Sequence, residues 1–311
     1  MAASKLKKAA EETVKVEPRE QSKEVLFELA WEVCNQVGGI YTVIRSKVPA
    51  MVDKWGDDYC LIGPYFSQTA SIEFEAAIDD SPYYKASEAL NKMGFTTFYG
   101  HWLVTGRPKI ILIDFNSALA KVDDLKFDLW DNHKVSTLNA EPLVNQVIAF
   151  GHVIEVYLTE FVQNHAKKLN VIAHFHEWMS AAPLLNLRKK EIDLATVFTT
   201  HATMLGRYIA GNVENFYEEL PNYKWQVEAK EYGIEAQAGI EYHAAQRCHV
   251  LTTVSDITAK ECEVFFERKC DLVLPNGLNI TRFAATHEFQ NLHVKHKQKI
   301  NQFVMGHFFQ S

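Results

Sequence analysis

Residues 171–207 constrain the fold more than any other stretch. They open with Val171-Ile172-Ala173-His174-Phe175-His176-Glu177-Trp178 and close with Ala195-Thr196-Val197-Phe198-Thr199-Thr200-His201-Ala202-Thr203-Met204-Leu205-Gly206-Arg207. Each half is a short apolar or β-branched run that stops at a histidine. Runs of this kind, bounded by polar residues, suit strands buried on both faces of a parallel sheet. Residues 180–190 between them read as a crossover helix, with Ser180 at the N-cap and Pro183 in the first turn, where a missing N–H costs little. The unit is strand–helix–strand, with His176 and His201 side by side at strand carboxyl ends. Open α/β sheets bind their ligands there.

The same alternation recurs along the chain. A first strand over 25–33 leads into Asn35-Gln36-Val37-Gly38-Gly39 and a helix from Ile40. Strand, glycine pair, helix is the arrangement in which backbone approaches a phosphate, although a tight turn explains two glycines equally well. Further strands are expected at 59–64, 95–100, 109–115, 249–254 and 272–274. A long helix from Asn139 to about Lys168 carries Val144, Val147, Ile148, Phe150, Ile154, Tyr157, Leu158 and Phe161 on more than one face. It is therefore deeply buried or also offers a partner surface. Ser255 and Asp256 can cap a helix over 257–269. Residues 211–239, aromatic and acidic, read as an irregular loop region. The expected fold is α/β: one doubly wound Rossmann-like domain over 25–285, after a disordered tail over 1–24 and before a helical segment over 286–311.

Composition removes several function classes. The 311 residues are 47% hydrophobic and carry a net charge of −7, with no basic cluster suited to nucleic acid. No apolar run approaches the length that spans a bilayer, and no secretion signal is evident. Cys34, Cys60, Cys248, Cys262 and Cys270 are odd in number and lack C-x-x-C spacing, which fits reduced thiols in a cytoplasmic protein.

The histidines admit two chemistries. His174 and His176 alternate along one strand, and with His201 they could ligate a metal. No carboxylate or further histidine stands at a recognisable ligand spacing, so no metal is expected. Histidines at strand ends also bind substrate hydroxyls. A serine nucleophile is not expected, since no Gly-x-Ser-x-Gly elbow occurs.

These motifs, with Val37-Gly38-Gly39-Ile40-Tyr41-Thr42-Val43, Thr252-Thr253-Val254-Ser255, Pro275-Asn276-Gly277-Leu278-Asn279 and His287-Glu288-Phe289-Gln290-Asn291-Leu292-His293, resemble the N-terminal half of the eukaryotic glycogen synthases. The resemblance implies the first half of a GT-B glycosyltransferase that moves glucose from UDP-glucose to the non-reducing end of an α-1,4-glucan with retention. It implies His201 and Arg207 as catalytic residues. Gln36, Gly38, Gly39, Asn276, Gly277 and Asn279 would join them in binding the donor, with His176 and Glu177 toward the acceptor. It further implies that His287, Glu288, Gln290, His293 and Lys297 hold the activator glucose 6-phosphate. Gln290, His293 and Lys297 do fall at i, i+3 and i+7 of a helix, a spacing a plain solvated face also shows. Glycogenin, glycogen and a homotetramer are the implied partners, with no cofactor.

Two departures qualify the resemblance. Gln36 stands where the family usually has a Lys or Arg, and an amide brings no charge to a phosphate. The family's Tyr-His-Arg-Tyr-Cys run is replaced between Gly233 and Glu241. The chain also stops where the family enters its second domain, so it is expected to transfer little or no glucose alone. A catalytically incomplete module that binds glycogenin or glycogen is the alternative.

Overall fold

The computed structural model describes residues 23–166, 169–277 and 286–308, the last span by backbone alone over 286–289. Its strands form one sheet: β1 Lys23–Leu29, β2 Tyr59–Pro64, β3 Phe74–Ala76, β4 Thr96–Trp102, β5 Lys109–Asp114, β6 Leu169–His176, β7 Ala195–Thr200, β8 Val250–Thr253 and β9 Leu272–Val273. The order is β3-β4-β5-β2-β1-β6-β7-β8-β9. From β5 to β9 every pairing is parallel, while β4 and β3 form an antiparallel edge. Strand order reverses at β1, which pairs with β2 on one side and with β6 on the other. A doubly wound sheet opens its ligand crevice beside that reversal, at the strand carboxyl ends.

Helices cover both faces because successive strand residues point to opposite sides. Val25, Phe27 and Leu29 enter one core cluster with the helices Pro82–Lys92, Pro142–Glu160 and Trp178–Lys189; Leu26 and Ala30 enter a second with the helix Gly39–Trp55. Glu28 shares the face of Leu26 and Ala30 and therefore faces the helix Gly39–Trp55. The helix Pro142–Glu160 buries Val144, Val147, Ile148, Phe150, Ile154, Tyr157 and Leu158, and Phe161 is buried in the following π turn. Of the two readings open for it, burial is observed: these side chains form core rather than a partner surface. Gly151 lets the crossover helix approach closely, since a Cβ there would lie 3.0 Å from Pro183 Cδ.

Several sequence expectations shift. The crossover helix begins at Trp178, not beyond Ser180, because Glu177 adopts φ 62° and turns the chain directly out of β6. Ser180 thus sits inside the first turn, where its hydroxyl donates to the His176 carbonyl at 2.7 Å instead of capping, and Pro183 lies in the helix interior. β1 starts at Lys23 and stops at Leu29, after which Ala30 N–H still donates to the Ile62 carbonyl at 3.2 Å. The three-residue β3 was not anticipated. Residues 211–239 are no loop: the helices Phe216–Glu219 and Trp225–Glu231 lie within them, and Phe216 stacks on Phe265 with ring centroids 6.3 Å apart. A helix spans Thr286–Phe308 in the tail, with Leu292, Ile300, Phe303 and Phe308 exposed. Of the expected tail over 1–24, residues 1–22 lie outside the described residues, while Lys23 and Glu24 are not tail but the start of β1. No helix among the described residues is long and apolar enough to cross a membrane.

Phe27 is fully buried at the centre of the sheet, edge-on to Tyr83, Tyr157 and Phe161. Phe27→Ala is expected to cost about 3–5 kcal/mol through the cavity it leaves. Urea denaturation with unchanged slope measures it; a loss under 1 kcal/mol would show that this aromatic cluster does not hold the sheet.

Candidate functional site

A cavity of about 270 Å³ lies over the carboxyl ends of β1, β6 and β7. Gly38, Gly39, His176, Glu177, His201, Arg207 and Asn276 line it, joined by Trp31 and Glu32, which sequence reasoning did not single out. Gln36 and Gly277 are exposed and lie outside the lining. Asn279 lies outside the described residues, as do the side chains of His287 and Glu288. Gln290, His293 and Lys297 are exposed on the tail helix.

Behind the cavity is a buried polar chain. Glu28, wholly inaccessible, takes His176 Nε2 at 2.7 Å on one carboxylate oxygen, where Lys47 also binds, and the Tyr59 hydroxyl on the other. His176 Nδ1 in turn lies 3.1 Å from His201 Nε2. His174 lies tilted against His176, with ring centroids 4.2 Å apart, and bonds Thr199 Oγ1 at 2.7 Å. Burial alone would raise the Glu28 carboxyl, yet Lys47 and then the hydrogen bond from His176 hold it well below the usual carboxylate range. Burial pushes His174 well down and also lowers His176, so each is neutral near pH 7. His201 falls to about 3, first through burial and then through repulsion from His176, Lys47 and Arg207.

Carboxylates also fix the turn after β7. Glu177 Oε1 accepts the backbone N–H of His201 at 2.7 Å and of Ala202 at 3.1 Å, with Arg207 3.3 Å away. Its positive φ is a sparsely populated conformation for a residue with a Cβ, typically worth about 1–3 kcal/mol of strain. The return is a carboxylate aimed at the neighbouring strand's exit. Glu241 accepts Met204 N–H at 2.8 Å and Thr200 Oγ1 at 3.2 Å, and burial drives its carboxyl well above the usual range. Thr203 caps the helix Met204–Ala210 through Gly206 N–H at 2.9 Å while donating to Glu261 at 2.7 Å. A Cβ on Gly206 would stand 2.2 Å from Glu261, so the helix bearing Arg207 needs glycine there. Arg207 itself is half exposed and points its charge at the cavity.

The glycine loop differs from its expected form. The N–H groups of Gly38 and Tyr41, which open the helix Gly39–Trp55, are taken by the Glu32 carboxylate at 2.7 and 3.0 Å. Helix N-termini favour negative charge, and here the chain supplies its own. Space for a ligand remains beside the loop, since a Cβ on Gly39 would meet nothing within 4 Å.

The donor set also bears on metal binding. Glu28, His174 and His176 offer ligand atoms within 4.8 Å of one another. The carboxylate that sequence spacing did not reveal thus comes from β1. Those atoms are engaged elsewhere: His176 with Glu28 and His201, His174 with Thr199, and Glu28 with Lys47, whose ammonium already supplies positive charge. The set fits a hydrogen-bonded chain better than a metal centre.

His201 has a testable signature. The unfolded imidazole titrates near 6.5, the folded one at about 3. Between those values the unfolded state binds the extra proton, so stability is full above about pH 6.5 and falls with pH below it. Glu177 and Glu241, raised by burial, act in the opposite sense. The difference between wild type and His201→Gln isolates the histidine. Urea midpoints from pH 7 to pH 4.5 should fall less steeply in His201→Gln, and parallel curves would refute the buried neutral imidazole.

Comparison with known proteins meets this geometry. The family model described as glycogen synthase matches residues 28–311. The chain is 45% identical over 294 residues to the glycogen [starch] synthase of Neurospora crassa, covering 94% of this chain and 42% of that one. It is 42% identical over 287 residues to the liver glycogen [starch] synthase of Homo sapiens, covering 92% and 40%. With Dictyostelium discoideum glycogen [starch] synthase the figures are 42% over 288 residues, 92% and 32%. The chain spans between 32% and 42% of the length of these relatives. By the match and by these identities, the chain belongs to the glycogen synthase family.

Proposed function

We propose that this chain forms one wall of a nucleotide-sugar cleft serving glucosyl transfer from UDP-glucose to the non-reducing end of an α-1,4-glucan, with retention. One observation carries the reading: Gly38, Gly39, His176, Glu177, His201, Arg207 and Asn276, distant in sequence, line one cavity at the switch point of the sheet. Transfer from a nucleoside diphosphate needs positive charge and hydrogen-bond donors where the leaving diphosphate gathers charge. Arg207 brings a guanidinium that faces the cavity and is only partly engaged by Glu177. His201, held neutral, offers the sugar a hydrogen-bonding group without adding charge. Glu177 acts on the turn carrying these groups, since its carboxylate is committed to backbone N–H donors.

The same reading assigns glucose 6-phosphate to His287, Glu288, Gln290, His293 and Lys297, and glycogen and glycogenin as partners of a homotetramer. Binding without turnover is the outcome expected of this chain alone, because among the described residues the lining holds one cationic side chain, Arg207.

Titration calorimetry of the chain with UDP-glucose is the direct test. Arg207→Ala should weaken binding about tenfold or more, the scale of one charge-assisted hydrogen bond. Its side chain is half exposed, so its removal opens no core cavity, and circular dichroism checks the fold. Unchanged affinity in folded Arg207→Ala, or no binding by wild type at millimolar donor, counts against this cleft. Glucose incorporation by the isolated chain at rates like those of its longer relatives would overturn the expectation of an incomplete site.

A further inference from the structure

The hydrogen-bonded chain behind the cavity has a direction, and its direction decides what the cavity presents. Glu28 is wholly buried and receives three donors: the Tyr59 hydroxyl, the Lys47 ammonium and His176 Nε2. An ionised carboxylate has no proton to give, so the hydrogen in its bond with His176 belongs to the imidazole. A neutral imidazole carries one proton. With Nε2 protonated, His176 Nδ1 is bare and can only accept. Its partner at 3.1 Å is His201 Nε2, which must therefore donate. That leaves His201 Nδ1 bare. This atom has no hydrogen-bond partner among the described residues, on a side chain that lines the cavity.

We propose that Glu28 is a positioning residue which, acting through His176, fixes His201 as its Nε2–H tautomer and so presents Nδ1 to the ligand as a hydrogen-bond acceptor. Glu28 touches no ligand; it acts two side chains away. The ligand group selected is one that donates, such as a sugar hydroxyl, and an oxygen that can only accept is disfavoured at that point. Lys47 and Tyr59 belong to the same device, because they hold Glu28 ionised and occupy its remaining lone pairs. His174 stays outside it: its Nδ1 is 4.0 Å from Glu28, beyond hydrogen-bond distance, and its Nε2 is committed to Thr199. The inference rests on the proposed cleft only for the identity of the ligand, since the tautomer is a property of the protein alone.

Long-range proton–nitrogen correlation spectra of the 15N-histidine-labelled 311-residue chain read the tautomer directly, because bare and protonated ring nitrogens resonate far apart. His201→Gln assigns the resonances. In wild type at pH 7, His201 should show a protonated Nε2 and a bare Nδ1. Glu28→Leu should free the chain: with no acceptor for its Nε2–H, His176 takes either tautomer, and the single tautomer of His201 gives way to a mixture. If Glu28→Leu does not fold, His176→Phe provides the second arm: without its acceptor, His201 should show a mixture of both tautomers. A bare Nε2 on wild-type His201, an unmoved pattern in folded Glu28→Leu, or a single unchanged tautomer in His176→Phe overturns the proposal. Loss of UDP-glucose binding with these tautomers intact would count against the cleft reading alone.

Discussion

A carboxylate buried in the middle strand of a parallel sheet is the constraint around which this domain is arranged. Glu28 sits among fully inaccessible neighbours, and an ionised group there is tolerable only if it is paired and hydrogen-bonded. Its partners come from separate elements: Lys47 from the helix Gly39–Trp55, Tyr59 from β2 and His176 from β6. Satisfying the charge therefore fixes the helix Gly39–Trp55 against the sheet and ties the strands flanking β1 together. The same bonds set the ring of His176 at the edge of the cavity. Stability and the geometry of the site's base therefore depend on one group.

Above that base, two more carboxyl groups do for backbone what Glu28 does for side chains. Around the exit of β7, Glu177 accepts the N–H groups of His201 and Ala202 and Glu241 that of Met204, while Glu261 accepts the Thr203 hydroxyl. N–H groups at a helix start lack intrahelical partners. Meeting them with buried carboxylates rather than water fixes the turn bearing His201 and the short helix bearing Arg207. The positive φ at Glu177 belongs with this function, because the sharp exit from β6 is what brings its carboxylate across to β7.

How much of this was legible in the sequence follows from range of interaction. The strand–helix–strand unit, the parallel sheet and the pairing of His176 with His201 were visible because apolar runs and their polar stops are local. The resemblance of ordered motifs added Arg207, Gly38, Gly39 and Asn276. Glu28, Lys47 and Tyr59 were missed since their meaning lies in pairings across β1, β2, β6 and a helix, which no spacing records. A signal existed: Glu28 and Glu32 interrupt the run Val25-Leu26-Phe27-Glu28-Leu29-Ala30-Trp31-Glu32-Val33, and a charge inside a doubly buried strand demands a partner. The N-cap was misplaced at Ser180 because that expectation assumed an ordinary cap, whereas the real turn uses strained backbone at Glu177. Residues 211–239 hid their helices behind short lengths and mixed polarity; tertiary packing of Phe216 on Phe265 supplies the order that local pattern lacks.

Glu32 changes what occupancy of the glycine loop would mean. Its carboxylate already holds the N–H groups of Gly38 and Tyr41, so the loop is self-liganded. Any incoming anion competes with a tethered rival whose effective concentration is of the order of millimolar or above. Binding there is an exchange, and the net gain is the difference between two similar sets of hydrogen bonds. A small free anion brings nothing to tip that balance. A ligand with further contacts along the cavity does, so the loop acts as a threshold that favours large, multiply anchored molecules over the simple anions abundant around any protein.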